Sequence, residues 1–141
     1  MRRTRTTTRT SKSRVGLVKG FRSGLEEQIA AQLQAAGVDP RFEAIKIEYE
    51  EPATKHKYTP DFPVRPNLVI ETKGRFLPED RKKHLLLKAQ RPDIEVRFVF
   101  SRASAPLYKG SPTTYAEWCD KHGFKWAEKR IPQAWLNELT Q

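Results

Sequence analysis

The chain has 141 residues, with 27 Lys or Arg against 17 Asp or Glu, so its formal net charge is +10, and its length suits one domain rather than two. No stretch of about 20 apolar residues indicates a membrane span and no apolar segment marks a signal peptide. The single cysteine, Cys119, forms no internal disulfide, and with three scattered histidines it offers no zinc spacing, so we expect a soluble protein of a reducing intracellular compartment.

Basic residues are concentrated at the start of the chain. Residues 1–22 hold eight of the 27 Lys and Arg residues and no acid, which leaves 19 basic against 17 acidic residues elsewhere. Because Thr and Ser separate these cations, residues 1–20 are predicted to be a disordered arm that contacts phosphates, with a solubilising or targeting extension as the alternative. The cations assigned to DNA in this region are Arg2, Arg3, Arg5, Arg9, Lys12, Arg14, Lys19 and Arg22.

The domain is predicted to occupy residues 21–141 and to begin with a helix. Ser23 and Glu26 have the spacing of a capping box, and Gly37 is a typical helix end. Capping alone accounts for Glu26, so this pattern does not by itself indicate a catalytic role. One stripe of the helix is apolar and consists of Leu25, Ile29 and Leu33.

The segment Arg41 to Glu50 alternates between apolar and charged residues, which predicts a strand. Extrapolated backwards, the alternation places Glu43 on the apolar face, where an acid either belongs to a site or marks the frayed end of the strand. The polar segment from residue 51 to 58 is predicted to be a linker, with His56 as a solvated loop residue.

The stretch from Thr59 to Gly74, TPDFPVRPNLVIETKG, is predicted to be a hairpin. Residues 65–67 (Arg-Pro-Asn) form the turn, so that a short strand after Asp61 returns beside the strand that ends in Glu71 and Lys73. Side chains alternate along a strand, so Glu71 and Lys73 share one face. Two carboxylates with room for water suit magnesium, and the adjacent lysine can orient a nucleophilic water or stabilise charge on a phosphate.

An Asp followed by Glu-x-Lys on a strand resembles the active-site pattern of the PD-(D/E)xK nucleases. From these residues alone, a surface hairpin with a salt-bridge cluster is the alternative.

A second helix is predicted to begin at Pro78, with Glu79 and Asp80 in its first turn, and to be closed by Pro92. Its three leucines, residues 85–87, should pack on the sheet. Its charges either form a solvated face or line a DNA groove.

The strand Glu95–Phe100 should pair in parallel with the Glu71 strand, since a helix joins them. The cations assigned to DNA here and in the following loop are Arg81, Lys82, Lys83 and Lys109.

The rest of the chain is predicted to contain a helix capped by Ser111 and ending at Gly123, a short strand over residues 124–127 and a final helix over residues 132–139. The three tryptophans are predicted to be core or interface anchors: Trp118, Trp126 and Trp135.

Several blocks in order resemble the bacteriophage endonuclease I family, the Holliday-junction resolvases of short-tailed phages. They are FRSGLE at residues 21–26, TPDF at 59–62, ETKG at 71–74, DRKKHLL at 80–86, and LYKGSPT at 107–113, followed by Tyr115 and KHG at 121–123. The resemblance runs from about residue 21 to residue 135.

The resemblance implies an α/β fold, a mixed β-sheet flanked by helices of the restriction-endonuclease-like nuclease type, in an intertwined, domain-swapped dimer. Residues 21–47 would be the exchanged unit, 48–57 the bridge and 58–141 the main catalytic part. The family's site residues match Glu26, Asp61, Glu71 and Lys73, with Asp61, Glu71 and Glu26 as metal ligands. A further family glutamate aligns with Arg41 without gaps, or with Glu43 after a small shift, and Glu43 is the residue we assign.

The implied activity is magnesium-dependent hydrolysis of branched DNA, with manganese as a substitute metal, by a homodimer in the cytoplasm of an infected bacterial host. Three alternatives remain open: a nick, flap or mismatch nuclease of the same superfamily, a non-catalytic protein that binds branched DNA, and a basic RNA-binding module. The last lacks an RNA-recognition motif or a stacking platform.

Overall fold

The computed structural model describes residues 23–51 and 54–141, and of residues 51, 54 and 55 it describes the backbone alone. The predicted arm and its cations from Arg2 to Arg22 lie outside this range. The elements within it are α1 (Gly24–Ala35), β1 (Ile47–Glu51), β2 (Thr54–Tyr58), β3 (Phe62–Arg65), β4 (Leu68–Lys73), α2 (Pro78–Gln90), β5 (Glu95–Phe100), α3 (Tyr115–His122), β6 (Lys125–Glu128) and α4 (Gln133–Leu139).

The main sheet is mixed and has the strand order β3-β4-β5-β6. The β3–β4 pair is antiparallel, whereas β4–β5 and β5–β6 are parallel, as predicted for the strands on either side of α2. Pro63 lies in β3 at the edge of the sheet, beside an irregularity between residues 63 and 65, which is where a strand tolerates a residue without an amide hydrogen.

Both faces of the main sheet are covered, so its central strands are apolar on both sides. One face packs against the β1–β2 hairpin, α2 and α3, in a cluster that contains Tyr58, Leu87, Phe98 and Trp118. The other face packs against α1 and α4, in the cluster Ile29, Ala30, Leu33, Phe62, Ile70, Val99, Ala127, Ile131, Trp135 and Leu136. The chain is therefore a mixed α/β protein whose sheet is flanked by helices.

Helix α1 follows the predicted pattern closely. The hydroxyl oxygen of Ser23 accepts a hydrogen bond from the Glu26 amide at 3.1 Å, and Ile29 and Leu33 are completely buried. The chain leaves the helix through Gly37 at a positive φ of 83°.

The strand predicted over Arg41 to Glu50 begins only at Ile47. Glu43 has a positive φ of 49° and lies in a turn, and such a left-handed residue interrupts an extended segment. The placement of Glu43 on the apolar face of a strand was therefore wrong, although Ile47 and Tyr49 are buried as predicted.

The segment predicted as a linker forms strand β2, which pairs antiparallel with β1. The side-chain amide of Gln90 ties this first hairpin to the end of α2, since it bonds both the N–H and the C=O of Glu50. His56 stacks on Tyr49, with ring centroids 5.6 Å apart, and is not a solvated loop residue. The proposed bridge, residues 48–57, thus consists largely of these two strands.

Helix α2 begins at Pro78 and ends before Pro92 as predicted, but not all three of its leucines pack on the sheet. His84 is fully buried among aromatic rings, whereas Leu85 is 36% exposed. One turn of helix is 3.6 residues, so Leu87 and His84 share the buried face and Leu85 does not.

Helix α3 begins one turn later than predicted. Thr114, not Ser111, is the N-cap, and it forms a capping box with Glu117. Gly123 ends the helix in the left-handed conformation, and Trp118 and Trp135 are buried anchors as predicted, with Trp126 packed at the edge of the core. Among the described residues, none of the helices is both long and apolar enough to span a bilayer.

Candidate active site

The β3–β4 hairpin brings Asp61 next to Glu71. Phe62 pairs with Ile70, so Asp61, just before β3, reaches the level of Glu71 on the neighbouring strand. Asp61 is 4% exposed and Glu71 3% exposed, which is rare for carboxylates. The predicted hairpin and the predicted meeting of these two side chains are confirmed.

The two acids are held by reciprocal hydrogen bonds. Oδ2 of Asp61 accepts from the backbone amide of Thr72 at 2.9 Å and from its hydroxyl at 2.8 Å. In the opposite direction, the Asp61 amide donates to Oε1 of Glu71 at 3.1 Å. The geometry of the pair is therefore built into the backbone of the hairpin.

Tyr58 contributes a further donor to the same carboxylate. Its hydroxyl donates to Oε1 of Glu71 at 2.7 Å, and the tyrosine is 1% exposed. Burial, and then the adjacent charge of Glu71, raise the pKa of the Tyr58 hydroxyl well above its usual value, so the group remains a proton donor at neutral pH.

The groups around Glu71 offset its burial only in part. Burial raises the pKa of Glu71, and the nearby charge of Asp61 raises it further, to about 8. Lys73 and the hydrogen bonds from Tyr58 and the Asp61 amide lower the pKa without offsetting these effects. Without a cation, Glu71 is therefore largely protonated at neutral pH.

Lys73 follows Glu71 on the same face of β4, as predicted. Its Nζ lies 3.9 Å from Oε2 of Glu71 and 3.3 Å from Oδ1 of Asp80 in the first turn of α2. Oδ2 of Asp80 also accepts the Leu77 amide at 3.0 Å, so the carboxylate that pairs with the lysine is anchored to the helix start.

The two remaining predicted acids, Glu26 and Glu43, lie on other parts of the chain than the β3–β4 hairpin. Glu26 is 7% exposed in the first turn of α1, which packs on the face of the sheet opposite the β1–β2 hairpin. Glu43 is half-buried, and its backbone amide donates to the Asp61 carbonyl at 2.8 Å. Across residues 23–51 and 54–141, no group of three or more His, Cys, Asp or Glu side chains is arranged to hold a metal ion. The confirmed meeting is therefore that of Asp61, Glu71 and Lys73.

A comparison with protein families connects this geometry to known proteins. The sequence model of the family described as Phage endonuclease I matches residues 7–141. The chain belongs to the phage endonuclease I family.

Two relatives show how closely the chain follows this family. It is 48% identical over 121 residues to "Endonuclease I" of Escherichia phage T7, which covers 86% of this chain and 81% of that protein. It is also 48% identical over 120 residues to "Endodeoxyribonuclease 1" of Enterobacteria phage T3, covering 85% of this chain and 79% of the relative.

The donor set of this phage endonuclease I family member fits a hard divalent cation. Asp61 and Glu71 supply carboxylate oxygens, which Mg²⁺ prefers, and a site built on one or two carboxylates leaves positions for water and phosphate oxygens. A cation would also favour the ionised form of Glu71, whose pKa is raised to about 8 by burial and then by the charge of Asp61.

Two adjoining cavities, both lined by Gln28 and Lys129, lie at the carboxyl ends of β4, β5 and β6, and together they are called the groove here. Gly74 follows the site lysine, Ser101 follows β5 and Lys129 follows β6, and together with the start of α1 they line one part of the groove. Its continuation along α1 is lined by Gln28, Ala31, Gln32, Lys129 and Arg130. Two cations therefore border a groove that begins next to Lys73.

The cations assigned to DNA in the described domain are differently placed. Lys82 and Lys109 are exposed. Arg81 donates to the Phe76 carbonyl at 2.6 Å, and Nζ of Lys83 lies 5.5 Å from the centroid of the Tyr58 ring, so both also stabilise the fold.

Sequence patterns missed three residues of this region: Tyr58, Asp80 and Lys129. Tyr58 contacts Glu71, and Asp80 contacts Lys73, from other elements of the fold. The local periodicity of a sequence does not indicate contacts between different elements. The acid of DRKKHLL was a visible signal for Asp80, but its position in the first turn of a helix already explained it.

Proposed function

We propose that this protein is a structure-selective endodeoxyribonuclease that resolves four-way junctions and other branched DNA by magnesium-dependent hydrolysis of phosphodiester bonds. Membership of the phage endonuclease I family supports the endonuclease activity, and the relatives from phages T7 and T3 are themselves named as an endonuclease and an endodeoxyribonuclease. Cleavage of DNA is therefore the activity with the strongest support.

The observation that carries the proposal is the buried pair of Asp61 and Glu71. Carboxyl groups are rarely buried so completely, and these two lie beside Lys73. Burial and the charge of Asp61 raise the pKa of Glu71 to about 8, and carboxyl groups with so perturbed a pKa are typical of functional sites. A bound cation would favour the ionised form of Glu71 and displace its proton.

Asp61 and Glu71, assisted by Glu26, are the proposed ligands of magnesium, for which manganese substitutes. When bound, the ion supplies Lewis acidity, which lowers the pKa of the attacking water and withdraws charge from the scissile phosphate. Lys73 is the proposed catalytic cation. Its ammonium group orients that water or stabilises the charge that develops on the phosphate. Glu43 is a proposed site residue on the strength of its backbone bond to Asp61.

DNA shape and backbone geometry, rather than base sequence, are the proposed basis of selection. The groove beside the site carries Lys129 and Arg130, two cations that can contact phosphates whatever the base sequence. The arm and the exposed cations of the domain, including Lys82 and Lys109, would contact further phosphates, so binding should weaken steeply with salt.

We further propose a restriction-endonuclease-like fold in an intertwined homodimer. In the single chain, α1 packs on its own sheet through Ile29 and Leu33. In the proposed dimer the partner's α1 fills that position, so that one site combines Glu26 of one chain with Asp61, Glu71 and Lys73 of the other. Two sites related by a two-fold axis would cut two strands in one encounter.

The first experiment compares a four-way junction with a linear duplex of the same sequence, in magnesium and in calcium. It uses the native chain and the variant Asp61→Asn. The control is Asp93→Asn, which changes an exposed acid just before the start of β5. We expect the native chain and the control to cut only the junction in magnesium, and Asp61→Asn to bind it without cutting.

The result that would reject this proposal is equally concrete. Cutting by Asp61→Asn would remove the site assignment, equal cutting of the duplex would remove the structural selectivity, and junction binding without cutting by any of the three proteins would identify a non-catalytic binding protein.

The dimer is tested by complementation. Glu26→Gln and Asp61→Asn chains are co-expressed with different affinity tags, and the mixed dimer is purified. An exchanged dimer regains one complete site and nicks one strand of the junction, whereas in an unexchanged dimer both sites are defective and no nick appears.

A further inference from the structure

The hydroxyl of Tyr58 is placed to control the orientation of Glu71. Oε1 of this carboxylate receives two hydrogen bonds, from Tyr58 at 2.7 Å and from the Asp61 amide at 3.1 Å. The other oxygen, Oε2, is the one nearer the ammonium group of Lys73, at 3.9 Å. The two donors therefore hold the carboxyl group through Oε1, and Oε2 is left facing Lys73.

Tyr58 is itself rigidly held by two different elements. As the last residue of β2 it pairs with Ile47 of β1. The ring of His84 in α2 meets its ring edge-on, with centroids 5.2 Å apart, and the ammonium group of Lys83 lies 5.5 Å from its centroid. A hydroxyl on so restricted a ring has little freedom to follow movements of Glu71, so Glu71 has to follow the hydroxyl.

The neutrality of the donor matters as much as its position. A lysine or arginine at this place would neutralise Glu71 and reduce its attraction for a metal ion. A phenol and a backbone amide orient the carboxyl group without placing a positive charge beside Oε1. Outer partners of this kind commonly orient metal-binding side chains, and their loss typically lowers metal affinity or activity about 10- to 100-fold.

We propose that Tyr58 is a positioning residue that holds Glu71 in the orientation required to bind a divalent cation. This rests on the proposed function, since it assumes that Glu71 is a metal ligand. In this role Tyr58 acts through Oε1 of Glu71, to which its hydroxyl donates.

The test removes a single oxygen atom. Tyr58→Phe keeps the ring and deletes the hydroxyl, and Tyr108→Phe makes the same change at a tyrosine that is 61% exposed. Mn²⁺ affinity is measured by titration without DNA. Cleavage of the junction is measured in single turnover over a range of Mg²⁺ concentrations, and junction binding is measured in the presence of EDTA.

We expect Tyr58→Phe to bind Mn²⁺ about 10- to 100-fold more weakly and to require correspondingly more Mg²⁺ for half-maximal cleavage. Junction binding in EDTA and the melting temperature of metal-free protein should stay close to the values of Tyr108→Phe. In a Glu71→Gln background, adding Tyr58→Phe should change Mn²⁺ affinity no further, because the effect passes through Glu71.

Native-like Mn²⁺ affinity in Tyr58→Phe would overturn the inference. So would a parallel loss of melting temperature, junction binding and cleavage, or failure of the variant to fold, since these results show a structural role. If the native chain itself neither binds Mn²⁺ nor cuts, the proposed function fails instead, and the two failures are distinguishable.

Discussion

The ammonium group of Lys73 is paired with Asp80, whose Oδ1 lies 3.3 Å from Nζ. The second oxygen of Asp80 accepts the Leu77 amide at the start of α2. The position of the proposed catalytic lysine therefore depends on where this helix begins, and an acid that serves as a helix cap also orients a site residue.

Asp80→Asn should separate these two functions. The amide oxygen of asparagine still accepts the Leu77 amide, but the negative charge beside Lys73 is lost, so the lysine is free to move toward Glu71. We expect single-turnover cleavage of a junction to fall about 10- to 100-fold with little change in junction binding. Glu79→Gln, which removes an exposed acid from the same turn, should cut like the native chain. Equal cleavage by both variants would show that Lys73 does not depend on Asp80.

The raised pKa of Glu71 predicts how stability depends on pH without metal. The carboxyl has a pKa near 4.5 when unfolded and about 8 when folded. Between these values the folded state binds more protons at this group than the unfolded state, so the contribution of Glu71 to the free energy of unfolding falls as pH rises and is lowest once both states are ionised. Glu71→Gln should lack this decline, and Glu48→Gln, at an exposed position of β1, should retain it. Urea unfolding at several pH values in EDTA provides the measurement.

The same titration predicts the effect of metal. Magnesium favours the ionised carboxylate, so at pH 8 it should raise the melting temperature of the native chain but not that of Glu71→Gln. An equal rise in both proteins would place the bound cation elsewhere.

His84 predicts a second pH effect, on the acid side. Burial, and then the charges of Lys73 and Lys83, lower the pKa of its imidazole well below the usual value, so the ring is neutral when folded. A histidine in the unfolded chain has a pKa of about 6.5. As the pH falls below this value, the unfolded state binds a proton that folded His84 does not. The free energy of unfolding should therefore decrease by at most about 1.4 kcal/mol per pH unit for this one proton.

His84→Leu should remove this loss. Neither ring nitrogen of His84 has a hydrogen-bond partner among the described residues, so the leucine variant should be no less stable than the native chain at pH 7 and more stable below pH 6. His56→Gln, which changes a histidine of the first hairpin, should keep the acid sensitivity of the native chain. The measurement is urea unfolding between pH 5 and 7.

The groove beside the site predicts a change in salt dependence. Replacing both Lys129 and Arg130 by alanine should weaken junction binding at low salt and reduce the slope of log affinity against log salt by about two, since each phosphate contact contributes about 0.9. The control replaces Lys121 and Lys125, which removes the same charge near the start of β6. Matching slopes for the two double variants would show that the groove is not a DNA contact.

Most of the fold could be predicted from the sequence because its signals are local. Alternation and a proline-containing turn were enough to place Asp61 against Glu71, and capping residues were enough to begin α1 and α2. The missed features depend on packing across the sheet. The charged neighbours of His84 gave no indication that its side chain is buried. The alternation of apolar and charged residues extends to residues before the observed start of β1, but the left-handed turn at Glu43 prevents the strand from beginning there. Tyr58, in a polar segment, gave no local sign that it donates to Glu71.

The reciprocal bonds between Asp61 and residues 71–72 have a consequence for how this chain can change in evolution. Insertions are normally tolerated at exposed turns such as Pro66–Asn67. Here a slip of one residue between β3 and β4 would move Glu71 to the opposite face of the sheet and separate it from both Asp61 and Tyr58. The length of this small surface turn should therefore be among the least variable features of related chains, although the turn itself takes no part in the chemistry.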